Sequence, residues 1–108
     1  MTNAQRQKLV EDAVACARIA WASIEGEQDG GTCNFDSALV HVERDEKLEA
    51  MMKEAGLRAF YWTHGLEGPG YKFFSTRYQG CPNTTAQERF AEEMKKRGYE
   101  TCVYYKMD

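Results

Sequence analysis

The apolar residues switch between helical and strand spacing in a fixed order along the chain, and that order restricts the fold more than any other feature. Leu9, Val10, Ala13, Val14, Ala17, Trp21 and Ile24 recur at three- and four-residue steps, which predicts one amphipathic helix over Met1 to Ile24. Thr2 with Gln5 fits a capping box at its start. Gly26 and then Asp29-Gly30-Gly31 break the pattern. Thr32 to Val42 reads as a first strand, apolar on both faces in its second half, as a central strand is. Alternation puts Cys33, Phe35, Ser37, Leu39 and His41 on one face and Asn34, Asp36, Ala38, Val40 and Val42 on the other. Asp45 to Ala55 is a short helix with Leu48, Met51 and Met52 on its apolar stripe, closed by Gly56. Leu57 to Thr63 and Tyr71 to Tyr78 are aromatic strands joined by a hairpin loop containing Gly68-Pro69-Gly70. Thr85 with Glu88 suggests a second capping box, opening a helix that carries Phe90, Ala91 and Met94 and stops at Gly98. Tyr99 to Lys106 is the last strand.

After the first helix the order is β-α-β-β-α-β, which predicts a single α+β domain over residues 1–108. The expected arrangement is a ferredoxin-like, four-stranded antiparallel sheet preceded by an extra N-terminal helix. Right-handed crossovers put strands 1 and 3 at the centre and strands 2 and 4 at the edges. The unpaired edges invite pairing with a second copy, a homodimer through strand 2 or strand 4.

The topology locates a candidate site. With strand 1 between strands 3 and 4, its start meets the ends of both. Asn34 and Asp36 then face Arg77 and Gln79, and the Gly80-to-Thr84 loop brings Asn83, Thr84 and Thr85 to the same end. A helix N-terminus there favours anions, so these residues form a candidate ligand-binding set. The reading of Asn34, Asp36 and Asn83 as mere caps of turns and of the loop is nearly as good.

Other chemistries fit less well. The net charge of −3 and the lack of a basic stripe disfavour direct nucleic-acid binding, although the aromatic third strand resembles a base-stacking platform. No apolar run reaches the roughly 18 residues of a membrane span, and no secretory signal is visible. A cytoplasmic location is expected, with Cys16, Cys33, Cys81 and Cys102 as free thiols. Cys33, Cys81 and Cys102 show no zinc spacing, and the reading places His41 and His64 at the other end of the sheet. The same separation argues against a cysteine nucleophile paired with histidine. No catalytic residue, metal or cofactor is expected.

Three stretches together carry a resemblance: Gly30-Gly31-Thr32-Cys33-Asn34-Phe35-Asp36, the Gly80-x-x-Asn83 loop, and Gly98-Tyr99 followed by Val103-Tyr104-Tyr105-x-Met107-Asp108. They resemble small phage and prophage proteins with a GTCNxD stretch, a GQAN-like loop and a terminal GYxxxVYYxMD. Here Cys81-Pro82 replaces the usual Gln-Ala of the loop. The resemblance implies action inside an infected host cell against its defences, either by blocking a protein partner, as anti-CRISPR proteins do, or by sequestering a signalling nucleotide. A host defence protein or a nucleotide is therefore the expected partner. A small enzyme using Cys33 or Cys81 is the least favoured alternative.

Overall fold

The computed structural model describes residues 1–26, 34, 36–74 and 80–106. The elements run α1 (Asn3–Ala22), β1 (Ser37–Val40), α2 (Glu46–Glu54), β2 (Ala59–Trp62), β3 (Gly70–Phe73), α3 (Cys81–Lys96) and β4 (Thr101–Tyr104). The fold is α+β: three helices, the first of them the extra N-terminal one, and a four-stranded antiparallel sheet. The strand order is β2-β3-β1-β4, with β1 and β3 central and β2 and β4 at the edges. In register, Leu39 of β1 lies between Lys72 of β3 and Cys102 of β4.

The strands are shorter than the sequence pattern suggests. The expected extensions over Thr32, Cys33 and Phe35 and over residues 75–79 lie outside the described residues. At the other ends, His41 N–H still donates to Glu100 O at 2.9 Å, one residue past the end of β1.

One helix boundary is corrected. α3 opens at Cys81 rather than at Thr85, with Gly80 as N-cap and Pro82 in the first turn. A proline there costs little, because first-turn N–H groups have no intrahelical partner. Thr85 is therefore an exposed residue within the helix and caps nothing. At α1 the Thr2–Gln5 capping box forms, each backbone N–H donating to the other's side chain at 3.1 and 2.7 Å.

The core lies between one face of the sheet and the helices. Ala38, Val40, Tyr71 and Phe73 supply the sheet side, and Leu48, Met52, Phe90 and Met94 supply α2 and α3. α1 packs on both of those helices through Leu9, Ala13, Cys16 and Ala20, all buried. Small residues along this seam let the helix axes approach closely. Burial pushes the Cys16 thiol up to about 11, so it behaves as a small apolar residue.

Two carboxylates, Asp45 paired across to α1 and Glu93 paired within α3, contribute to the loss of stability in acid. The Leu48 N–H and the Arg6 guanidinium, 3.0 Å away, hold Asp45 below the usual carboxylate range. Lys96 and then Arg97 do the same for Glu93. A carboxylate whose folded value is depressed adds stability above its unfolded value of about 4 and loses it as pH falls through the folded value. The melting temperature is thus expected to hold on the neutral side and to drop below about pH 4. Asp45→Asn keeps a good N-cap residue, and it should flatten that drop in a series of melts at falling pH.

Candidate functional site

Four of the sequence-predicted site residues meet at one end of the sheet. Asn34 Nδ2 donates to Gly80 O and to Thr84 Oγ1, both at 3.1 Å. Asn83 Nδ2 donates to Asn34 Oδ1 at 2.7 Å and to Asp36 O at 3.1 Å. Asp36 accepts from Thr84 Oγ1 at 2.6 Å and from the Lys106 backbone N–H at 2.7 Å. Deeper in, Gln87 is fully buried and accepts from the Ala38 N–H at 2.8 Å. Its own amide reaches Asn83 Oδ1 at 3.4 Å.

The local reason is the early start of α3. Beginning the helix at Cys81 puts Asn83, Thr84 and Gln87 on the turn and a half that faces the start of β1. Their side chains then bind the three chain segments that converge there: residues before β1, the first turns of α3, and the stretch after β4. Asp36 and Asn83 are each 6% exposed, so little of either faces solvent. Both carboxylate oxygens of Asp36 and both donors of Asn83 already have protein partners. Thr85 points away from this cluster to the surface, and Arg77 and Gln79 lie outside the described residues.

The cysteines sort differently from the sequence reading. Cys33 is outside the described residues, and Cys81 is exposed on α3. Cys102 belongs to the opposite end. Because β4 runs antiparallel to β1, its first residues lie beside the last residues of β1. His41 Nε2 is accordingly 3.2 Å from Cys102 Sγ, a pairing that the sequence reading ruled out. His41 Nδ1 lies 2.9 Å from Pro69 O. The register Leu39↔Cys102 makes this pair readable once β4 is begun at the right residue. Among the described residues no group of three or more His, Cys, Asp and Glu side chains is placed to hold a metal ion.

The sheet face away from the helices is covered by its own aromatics. Lys72 Nζ sits 3.5 Å from the Trp62 ring centroid and 3.6 Å from that of Tyr104, and Lys72 is 5% exposed. Burial, and then the Lys106 charge, push the Lys72 ammonium down. Beneath this arch Leu39 and Ser37 are fully buried.

A solvent-open groove of about 890 Å³ runs between the C-terminal half of α1 and the residues joining α2 to β2, with Phe73 and Phe74 at the end of β3. Trp21, Ile24, Leu57 and Phe74 line it, with Arg18 and Arg58 among the walls. Phe60, itself 48% exposed, stacks on Phe74 at a centroid distance of 5.1 Å. No helix among the described residues is long and apolar enough to cross a membrane.

Comparison with known proteins is without result: no family model, curated protein or solved structure matches the chain.

Proposed function

We propose that the chain is a non-catalytic binding protein that acts by occupying the surface of a protein partner. The observation that carries this reading is the groove beside α1, lined by Trp21, 43% exposed, and by Phe74, on whose ring the 48% exposed Phe60 stacks from outside. Large aromatic side chains clustered at a concave surface are the usual anchors of a protein interface. Arg18 and Arg58 form no salt bridge among the described residues and outnumber the single acid of the walls, Glu25, so the groove suits a partner segment that presents an apolar side chain next to an acidic one. The resemblance to small phage proteins supports a host defence protein as that partner, with inhibition by blockade. The βαββαβ part is best described as a ferredoxin-like unit, on the support of its central β1 and β3 and its edge β2 and β4.

Sequestration of a signalling nucleotide at the Asn34, Asp36, Asn83 and Thr84 end is the weaker alternative. A phosphate there would have to displace bonds of 2.6 to 3.1 Å that these side chains already make. It would also approach the Asp36 carboxylate, a like charge.

Native mass spectrometry of the protein recovered from infected cells tests the two readings. The expected result is a co-purifying host protein that is lost in a Trp21→Ser/Phe60→Ser variant and retained in Thr85→Ala. Both side chains are about half exposed and Phe60 stacks on Phe74, so each serine change should cost about 1–2 kcal/mol, and a thermal melt of the variant checks that it stays folded. A small added mass on the wild type with no protein partner would overturn the surface reading.

A further inference from the structure

The His41–Cys102 pair has the geometry of a base and its nucleophile. A backbone carbonyl only accepts, so the Pro69 O contact at 2.9 Å places the imidazole proton on Nδ1. Nε2 is left as the acceptor, and the Cys102 S–H donates to it across 3.2 Å. Thiol, imidazole and carbonyl thus stand in the order nucleophile, base and orienting group. Both residues are half-buried.

The surroundings keep Cys102 a thiol at rest. Burial, and then the Glu67 and Glu100 carboxylates, push the Cys102 thiol up, which keeps the proton on sulfur until attack. Lys72, the cation of the neighbouring arch, is held by the Trp62 and Tyr104 rings.

We infer that Cys102 is a reactive thiol, an acyl acceptor for thioesters whose proton His41 removes in place. In the step, the S–H proton passes to His41 Nε2 and Sγ attacks the acyl carbon. The thioester C–S bond then breaks, and the leaving thiolate takes the proton from Nε2. The acyl group ends on Cys102, and no oxidant or reductant enters. This site lies on the sheet face away from the core and is independent of the partner-binding groove.

Phenyl thioacetate, a small neutral aryl thioester, is a suitable probe, with acetylation of each cysteine followed by peptide mass spectrometry. In the wild type Cys102 should be acetylated about tenfold faster than Cys81 or more, as expected for assistance by a positioned base, even though Cys81 is the more exposed. His41→Gln retains a polar side chain of similar reach but cannot take the proton. It should bring Cys102 below Cys81 while leaving the Cys81 rate unchanged. Buried Cys16 reports on folding, because it is acetylated only if a variant unfolds. If His41→Gln does unfold, the wild-type ratio decides alone. Faster reaction at Cys81 in the wild type, or an unchanged Cys102 rate in a folded His41→Gln variant, would overturn the assignment.

Discussion

Lys72→Glu is expected to lower stability by about 4 kcal/mol, a large share of the 5–15 kcal/mol typical of a whole domain. Lys72 is 5% exposed, with its ammonium 3.5 and 3.6 Å from the centroids of Trp62 and Tyr104. The faces of these rings are negative, so they attract a cation and repel a carboxylate. The introduced acid escapes an unpaired buried charge only by taking up a proton. At pH 7 that costs no more than about 3.7 kcal/mol, the gap between pH 7 and an ordinary glutamate near 4.3. Loss of the cation–π attraction adds up to about 2 kcal/mol, and relaxation of the side chain towards solvent takes some of the sum back. The sign with pH follows. The introduced group has a folded value above its unfolded one, so the penalty relative to wild type shrinks as pH falls from 7 towards 4.5. Lys72→Met separates charge from volume: it gives up the attraction but also removes the desolvation cost, and its stability should stay within about 1.5 kcal/mol of wild type. Urea melts at two pH values measure all three chains. A Lys72→Glu protein as stable as wild type at pH 7 would mean that the arch opens to water in solution.

Neither the arch nor the acyl-acceptor pair can be read from local pattern, and the reasons are physical. A lysine in an aromatic strand reads as solvent-facing because the period of two gives its face but not what covers that face. Lys72 is covered by rings from the two opposite edges of the sheet, Trp62 of β2 and Tyr104 of β4. Grouping Cys102 with Cys33 and Cys81 overlooks its place near the start of the last strand. The antiparallel pairing with β1 carries Cys102 to the histidine end instead. The capping box at Thr2 is local and was legible for that reason. Thr85-x-x-Glu88 has the same local form, yet it lost to Gly80 and Pro82. Starting α3 early lets Asn83 and Thr84 reach Asn34 and Asp36, and those long-range bonds outweigh one cap. The gathering of Asn34, Asp36, Asn83 and Thr84 followed from strand order, which the alternation of helix and strand does carry. What the cluster does depended on which lone pairs were already taken, and residue types do not record that.

Asn83→Asp changes one side-chain amide to a carboxylate of nearly the same shape, and it should destabilise the protein by about 3 kcal/mol. Asn83 Nδ2 now donates to Asn34 Oδ1 at 2.7 Å and to Asp36 O at 3.1 Å. An oxygen in that place meets two acceptors at hydrogen-bond distance and has nothing to donate. It also adds a negative charge beside Asp36, whose carboxylate is held by Thr84 and Lys106. Asn83→Leu has comparable bulk and no charge. It leaves Asp36 O and the Gln87 amide without this partner, and at about 1–3 kcal/mol for each buried group it should cost about as much. Combined with Gln87→Leu, which orphans the Ala38 N–H, its cost should be less than additive, because the two amides belong to one network. Hydrogen exchange should show the damage first at the start of β1 and the first turn of α3. The outcome bears on function as well as folding. A cluster that serves as a tie between three chain segments loses stability in both Asn83 variants. A cluster kept for an anionic ligand would instead leave the stability of Asn83→Asp close to wild type and forfeit only the ligand, and that result would return the nucleotide reading to first place.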